Sequence, residues 1–313
     1  MEHFHLTAKI PTKRKAAAAV AGGVLLALSP LVAQTAVAAA QPEPTVTAKG
    51  AALVDGDSGE TLYGKDADTA RPMASTAKIM AAYVVLDQGA DLDRQVPVKQ
   101  EYRDYVTEHG TSTADLQTGD KLTIRQLLYA SLLPSGADAG YALADTFGTG
   151  DTTKERTESF VSQMNAKADE LALPKTEFDS FDGAGTDSST PTELAKLARY
   201  AMTDDTFRTV VATKQYKAEA PAANGRTRYY TWNNTNQLLG SYDGVIGIKT
   251  GTTTPAGECL VFAATRGAKT LVGTVLNSTD RYGDAAKMLD YGFGSDTAKN
   301  MKLRKLPANT QRD

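Results

Sequence analysis

Residues 71–89 read RPMASTAKIMAAYVVLDQG. Pro72 marks a loop, residues 76–88 are rich in helix formers with an apolar face, and Gly89 follows as a C-terminal stop. The stretch therefore predicts a loop-to-helix junction with Ser75 at the helix start. On a helix, positions i and i+3 share a face with their Cβ atoms about 5–6 Å apart. That spacing brings the Lys78 amine within reach of the Ser75 hydroxyl. A lysine amine acts as a base only in its free form, which burial and a second nearby cation favour. A helix N-terminus also leaves backbone N–H groups free, as an oxyanion requires. The plainer reading makes Ser75 a helix cap and Lys78 a solvated side chain. Ser-x-x-Lys occurs once in the chain.

Upstream, residues 51–64 read AALVDGDSGETLYG, two apolar runs around Asp57-Ser58-Gly59, the pattern of a β-hairpin. Downstream, residues 91–120 read as polar loop. Residues 123–133 read as a helix ended by Pro134, and 138–147 and 154–172 as two more. Asp179 to Pro191 is a Gly/Ser/Asp-rich loop, and Thr190-Pro191-Thr192-Glu193 opens another helix. Residues 213–236 are polar and aromatic. Strand patterns return at Val245–Lys249, Cys259–Thr265 and Thr270–Leu276, with turns at Gly251–Gly257 and Arg266–Lys269, and a last helix spans about 282–291. Strands at both ends and helices between them predict a two-lobed α/β (α+β) fold. One antiparallel sheet (about 48–90 and 237–294) would be flanked by helices, a helical lobe (about 91–236) would stand beside it, and the cleft between them is the natural site.

The chain has 313 residues, 41% hydrophobic and 23% charged, enough for an ordinary core. Its formal net charge of −3 argues against a nucleic-acid partner. Residues 1–40 stand apart: Lys9, Lys13, Arg14 and Lys15 precede an uncharged run at 16–28, and small residues fill 36–40. This is the layout of a secretory signal peptide. The alternative is an uncleaved anchor, but the run is short for a span of about 20 residues, so the mature chain is expected to carry no membrane span and to be secreted. Cleavage near Ala40 removes four Lys/Arg and one Glu, a net three positive charges, and leaves −6. It also leaves His109 as the one histidine, read as an exposed loop residue, and Cys259 as the one cysteine, read as a buried structural thiol. A zinc site lacks ligands, so no metal and no cofactor are expected. The catalytic domain is expected at 41–295. The basic tail 296–313 reads as solvated and frayed, or as loosely attracted to an anionic envelope surface.

A Ser-His-Asp triad would have to use His109, and no Gly-x-Ser-x-Gly turn is present to partner it. Two other motifs support Ser75 and Lys78. Ser135-Gly136-Ala137-Asp138 follows the Pro134 break, and Lys249-Thr250-Gly251 ends an apolar strand. Alone, Ser135 is a helix cap and Lys249 an edge-strand charge. In this order the three motifs match the pattern of penicillin-interacting serine enzymes.

With the flanking stretches 53–80, 119–145, 232–240, 244–253 and 259–276, the chain resembles the low-molecular-mass penicillin-binding proteins. These are D-alanyl-D-alanine carboxypeptidases of the S11 serine-peptidase type, and the likeness is particularly to the secreted Streptomyces DD-transpeptidases. The resemblance covers about residues 48–294 and implies the serine β-lactamase/penicillin-binding-protein fold. It implies Ser75 as acyl-ester nucleophile, Lys78 as its base, and Ser135 as proton relay to the leaving amine. Lys249, Thr250 and Gly251 would bind the donor's terminal carboxylate, and the N–H groups of Ser75 and Thr252 would form the oxyanion hole. Arg281 stands where the family often has a carboxylate-recognising arginine, although a plain surface arginine is nearly as good a reading. The implied partners are peptidoglycan stem peptides ending in D-Ala-D-Ala, with β-lactams as covalent inhibitors. One departure stands out: the family's Ser-x-Asn is here Ser135-Gly136-Ala137, without the amide. That leaves open the balance of hydrolysis and transpeptidation.

Two other readings are carried. A class A-like β-lactamase needs a deacylating glutamate in Glu-x-x-Leu-Asn, whereas this chain has Glu170-Leu171-Ala172-Leu173-Pro174. A catalytically impaired peptidoglycan or penicillin binder would rest on Ala137 alone.

Overall fold

The computed structural model describes residues 42–308 and 310, so the leader sequence lies outside the described residues. The elements in chain order are β1 (Gly50–Asp55), β2 (Thr61–Lys65), the short β3 (Arg71–Pro72), a 3-10 turn (Ala74–Ala77) and α1 (Lys78–Asp87). Then come β4 (Gln95–Pro97), α2 (Gln100–His109), β5 (Lys121–Thr123), α3 (Ile124–Leu132), α4 (Ala137–Phe147) and α5 (Thr153–Glu170). After them lie β6 (Ser188–Ser189), α6 (Pro191–Ala201), α7 (Asp205–Ala212), β7 (Gln215–Pro221) and β8 (Thr227–Asn233). The chain closes with β9 (Val245–Thr253), β10 (Gly257–Arg266), β11 (Lys269–Ser278), α8 (Arg281–Phe293) and a 3-10 turn (Ala298–Asn300).

The main sheet has the order β2-β1-β11-β10-β9 and is antiparallel throughout, so the two ends of the chain do pair, Leu53 opposite Gly273. The run CLVFAA at 259–264 is apolar without alternation because both faces of the sheet are covered. Cys259, Val261 and Ala263 join the core shared with the helices, while Leu260, Phe262 and Ala264 join a second core under α8 with Ala285, Met288 and Leu289. A period of two thus serves two cores from one strand. Helix α1 packs against α3, α4, α5, α6 and α7, at the centre of the helical cluster. Its C-terminal end follows from sequence: Gly89 takes φ +67 just past the helix, where a residue without Cβ is strain-free. Thr123 with Gln126 and Thr152 with Glu155 form capping boxes that start α3 and α5.

Several expectations are corrected. The stretch 91–120 holds α2, whose single buried residue, Tyr102, gives no apolar period to read. The stretch 213–236 is the β7–β8 hairpin, in register from Gln215–Asn233 to Pro221–Thr227. Gly251 lies inside β9 rather than in a turn, and Arg281 begins α8 rather than preceding it. Helix α7 was not anticipated. The tail is not frayed through its described length: Asp290 binds Ser295, Thr297 and Ala298, and Arg304 is bonded to the loop 234–241. No helix among the described residues is long and apolar enough to cross a membrane.

Candidate active site

Ser75 sits in the 3-10 turn that leads into α1, at the mouth of a cavity of about 430 Å³. The cavity is walled by His109–Ser112, Asp182–Ala184 and Thr252–Pro255. Lys78, one turn on and 2% exposed, places Nζ 3.0 Å from Ser75 Oγ. The same amine donates to the Asp182 carbonyl at 2.8 Å, with the Asp182 carboxylate at 3.9 Å. The spacing read from sequence is therefore realised by a short 3-10 turn that passes directly into the helix.

The loop 179–187 supplies what sequence reasoning missed. Its backbone carbonyl at Asp182 holds the amine, and its shape is fixed by Asp187, which accepts from Asp179 N, Ser180 N, Ser180 Oγ and Gly185 N. Burial pushes the Asp187 carboxyl above the usual range, although Ser180 and the backbone of Ser180 and Asp179 pull the other way. Gly183 has φ +89, and a Cβ there would lie 2.0 Å from the Ala74 carbonyl oxygen. Only glycine lets this loop lie against the Ser75 turn. The signal was visible as a Gly/Ser/Asp loop, but a carbonyl contact has no side-chain signature.

Ser135 is fully buried and takes φ +67, a left-handed conformation that a serine adopts at a cost. Its Oγ is buried and has no hydrogen-bond partner among the described residues. An unpaired buried hydroxyl costs about 1–3 kcal/mol and is available to a bound ligand. Ala137 is buried at the start of α4, where its N–H donates to Ser112 O at 2.8 Å. Asp138 does not stand in for the missing amide. Its carboxylate accepts from Thr113 Oγ1, Ala114 N, Leu116 N and Ala139 N, and so pins the loop before β5. Burial outweighs those bonds and pushes its carboxyl above the usual carboxylate range.

β9 is the edge strand, and its register explains the rest. Lys249 pairs with Val261 and Gly251 with Cys259, so both face the helical side. Lys249 is 1% exposed and donates to the Thr250 carbonyl. A Cβ on Gly251 would lie 2.9 Å from Ser75 N, so strand and turn are in contact there. Thr250 pairs with Leu260 and faces the α8 side, where its hydroxyl meets that of Thr235 at 2.6 Å. Thr235 is also tied to the α3–α4 turn: its N–H donates to Leu133 O, two residues before Ser135. Thr252 lines the Ser75 cavity, and its Oγ1 is buried without a hydrogen-bond partner among the described residues.

Arg281 is 7% exposed, not a plain surface residue. Its Nη1 donates to Gly251 O and Cys259 O, both at 3.1 Å, and it lines a second cavity of about 340 Å³ together with Thr235 and Thr250. His109 is exposed but is not a loop residue. It ends α2, lies tilted against the Tyr105 ring with centroids 4.3 Å apart, and forms part of the rim of the Ser75 cavity. Cys259 is buried, and burial pushes its thiol up to about 11. No cluster of three or more His, Cys, Asp or Glu that could hold a metal occurs among the described residues.

Known proteins share this fold. A family profile described as D-alanyl-D-alanine carboxypeptidase, peptidase S11, matches residues 35–280. A D-alanyl-D-alanine carboxypeptidase of Streptomyces sp. strain K15 is 49% identical over 90% of this chain and 98% of its own. The carboxypeptidase DacB2 of Mycobacterium tuberculosis is 35% identical over 80% of this chain and 84% of its own. The crystal structure of the Streptomyces K15 DD-transpeptidase superposes with a TM-score of 0.80 at 50% identity, covering 81% of this chain and all of that one. This chain, a two-lobed serine-type peptidase in fold and motif, belongs to the S11 family of D-alanyl-D-alanine carboxypeptidases.

Proposed function

We propose that this chain is a secreted D-alanyl-D-alanine carboxypeptidase/transpeptidase that cleaves the D-Ala-D-Ala end of peptidoglycan stem peptides through an acyl-enzyme on Ser75. The observation that carries the reading is the Lys78 amine 3.0 Å from Ser75 Oγ. Its bond to Asp182 O fixes the amine beside Ser75 Oγ, and as general base it takes the serine proton. Ser75 Oγ then attacks the penultimate D-Ala carbonyl. The N–H groups of Ser75 and Thr252 face the developing oxyanion. The C–N bond breaks, and the unpartnered Ser135 hydroxyl relays the proton to the departing D-Ala amine. Water or an acceptor amine then releases the acyl group. β-Lactams place a strained amide in the same position and remain on Ser75.

Thr250 and Thr252 share one strand face, so they stand about 7 Å apart along β9. The scissile carbonyl carbon and the terminal carboxylate carbon are three bonds and about 4 Å or less apart, so both fit between groups at that spacing. Thr250 and Arg281, which line one cavity, are the groups that meet the carboxylate, and Lys249, buried on the opposite face of the strand, adds its charge from behind. No glutamate lines the Ser75 cavity among the described residues, and Glu170 lies at the end of α5, ion-paired to Lys167. The β-lactamase reading therefore lacks its deacylating base. Export rests on the sequence of residues 1–40.

The test is to incubate the mature protein with diacetyl-Lys-D-Ala-D-Ala, with and without glycylglycine, beside Ser75→Ala. Release of D-Ala that disappears in the variant supports the reading, and the exchanged peptide measures transfer against hydrolysis. An unacylated, inactive wild type would sink it.

A further inference from the structure

Past α8 the chain turns back across the loop that precedes β9. Arg304 Nη2 donates to Asn234 O at 2.7 Å and Asn236 O at 3.0 Å, the two carbonyls on either side of Thr235. Its Nε donates to Leu239 O, its backbone N–H to Ser241 Oγ, and its carbonyl accepts from Gln237. Tyr282 of α8 holds the Thr235 carbonyl from the other side at 2.9 Å. The Thr235 hydroxyl, so placed, meets Thr250. Two residues beyond Arg304, Leu306 enters the wall of the 340 Å³ cavity that holds Thr235, Thr250 and Arg281. Leu306 is the one aliphatic side chain in that lining among the described residues; the remainder is Thr, Gln, Glu, Asp, Arg and Tyr.

We infer that the segment 303–306 is a specificity wall of the donor site. Leu306 bounds the space for the side chain of the departing C-terminal residue, and Arg304 positions Thr235 against Thr250. The inference rests on the proposed reading that Thr250 and Arg281 take the donor carboxylate. A polar pocket with one aliphatic boundary fits a carboxylate beside a single methyl group, which is the chemistry of a terminal alanine. Larger terminal residues meet the leucine.

The experiment compares kcat/KM for diacetyl-Lys-D-Ala-D-Ala and diacetyl-Lys-D-Ala-D-Leu in wild type, Leu306→Ala and Leu306→Phe. Stoichiometric acylation by benzylpenicillin shows that each variant is folded at Ser75. Discrimination of this kind by a hydrophobic wall is worth about tenfold or more. Leu306→Ala should raise the D-Leu to D-Ala ratio by about tenfold, and Leu306→Phe should lower it. Arg304→Ala should raise KM for both peptides more than it lowers kcat, since it moves a binding group and no reacting atom. A ratio unmoved in both Leu306 variants, with wild type releasing D-Ala, overturns the wall. A wild type that is acylated by penicillin but releases no D-Ala overturns the underlying carboxylate reading, and the wall falls with it.

Discussion

At the scale of single residues, contact between Gly251 and the Ser75 turn is the most exposed point of the design. An added Cβ at 251 would lie 2.9 Å from Ser75 N and 3.1 Å from both Ala74 Cβ and Thr76 N. Backbone atoms give way only by moving β9 or the turn, and both carry donors proposed for the oxyanion. Misplacements below 1 Å in such sites cost an order of magnitude or more. Gly251→Ala should therefore slow acylation of Ser75 by a fluorescent penicillin by about tenfold or more; an unchanged second-order rate would separate the strand from the oxyanion site. Ser75 and Lys78 were legible because an i, i+3 pair is encoded by side chains alone. Asp182 was not, because it acts through its carbonyl, and Ser135 was legible as a motif but not in its left-handed backbone. Arg281 was half legible: the sequence placed it correctly near the last helix, while its bonds to Gly251 O and Cys259 O come from a strand pair far away in sequence.

Elements follow the same division. The five sheet strands were readable from apolar runs and turn residues, since both cores demand Val, Leu and Ala there. Helix α2 was not, because it is largely solvent-facing, and the β7–β8 hairpin was not, because its period of two, with Ala218, Ala220, Tyr230 and Trp232 inward, is carried by small and aromatic residues among many polar ones. The return of the chain after α8 depends on one carboxylate. Asp290 accepts from Tyr242 Oη, Ser295 Oγ, Thr297 N, Thr297 Oγ1 and Ala298 N. Burial opposes its charge, but the bonds from Ala298, Ser295 and Thr297 prevail and hold it at about 2, against an ordinary 3.8. A carboxyl whose folded value is depressed stabilises the fold above its unfolded value and loses that contribution as pH falls toward the folded one. The shift corresponds to about 2 kcal/mol, present at neutral pH and lost between about pH 4 and pH 2. Asp290→Asn should lower stability by roughly that amount in urea unfolding at pH 7, and the gap between variant and wild type should narrow below pH 4 and nearly close at pH 2. A gap that persists unchanged at low pH would assign the loss to packing instead of charge.

For the whole molecule, the site is assembled from both ends and the middle of the chain. Ser75 comes from the α1 junction, Ser135 from the α3–α4 turn, Lys249 from the edge strand, and the wall at Leu306 from the last described residues. Nothing local in sequence can form it, so the site exists only while β9–β10 stays docked on the Ser75 turn. Cys259 reports on that docking. It lies opposite Gly251 in the β9–β10 ladder, its Sγ faces Ala256 O at 3.6 Å, and it belongs to the core shared with the helices. Its thiol is held at about 11 by burial, so at pH 8 the reactive thiolate is scarce as well as inaccessible. Labelling by a disulfide reagent at pH 8 must wait for an opening that separates β10 from the helical cluster. The native protein should therefore react orders of magnitude more slowly than the urea-unfolded chain. Acylation of Ser75 by penicillin, which ties the turn to the strand through one bound molecule, should slow labelling further. Fast labelling of the native protein, unaffected by acylation, would show that the β9–β10 edge opens independently of the site it helps to build.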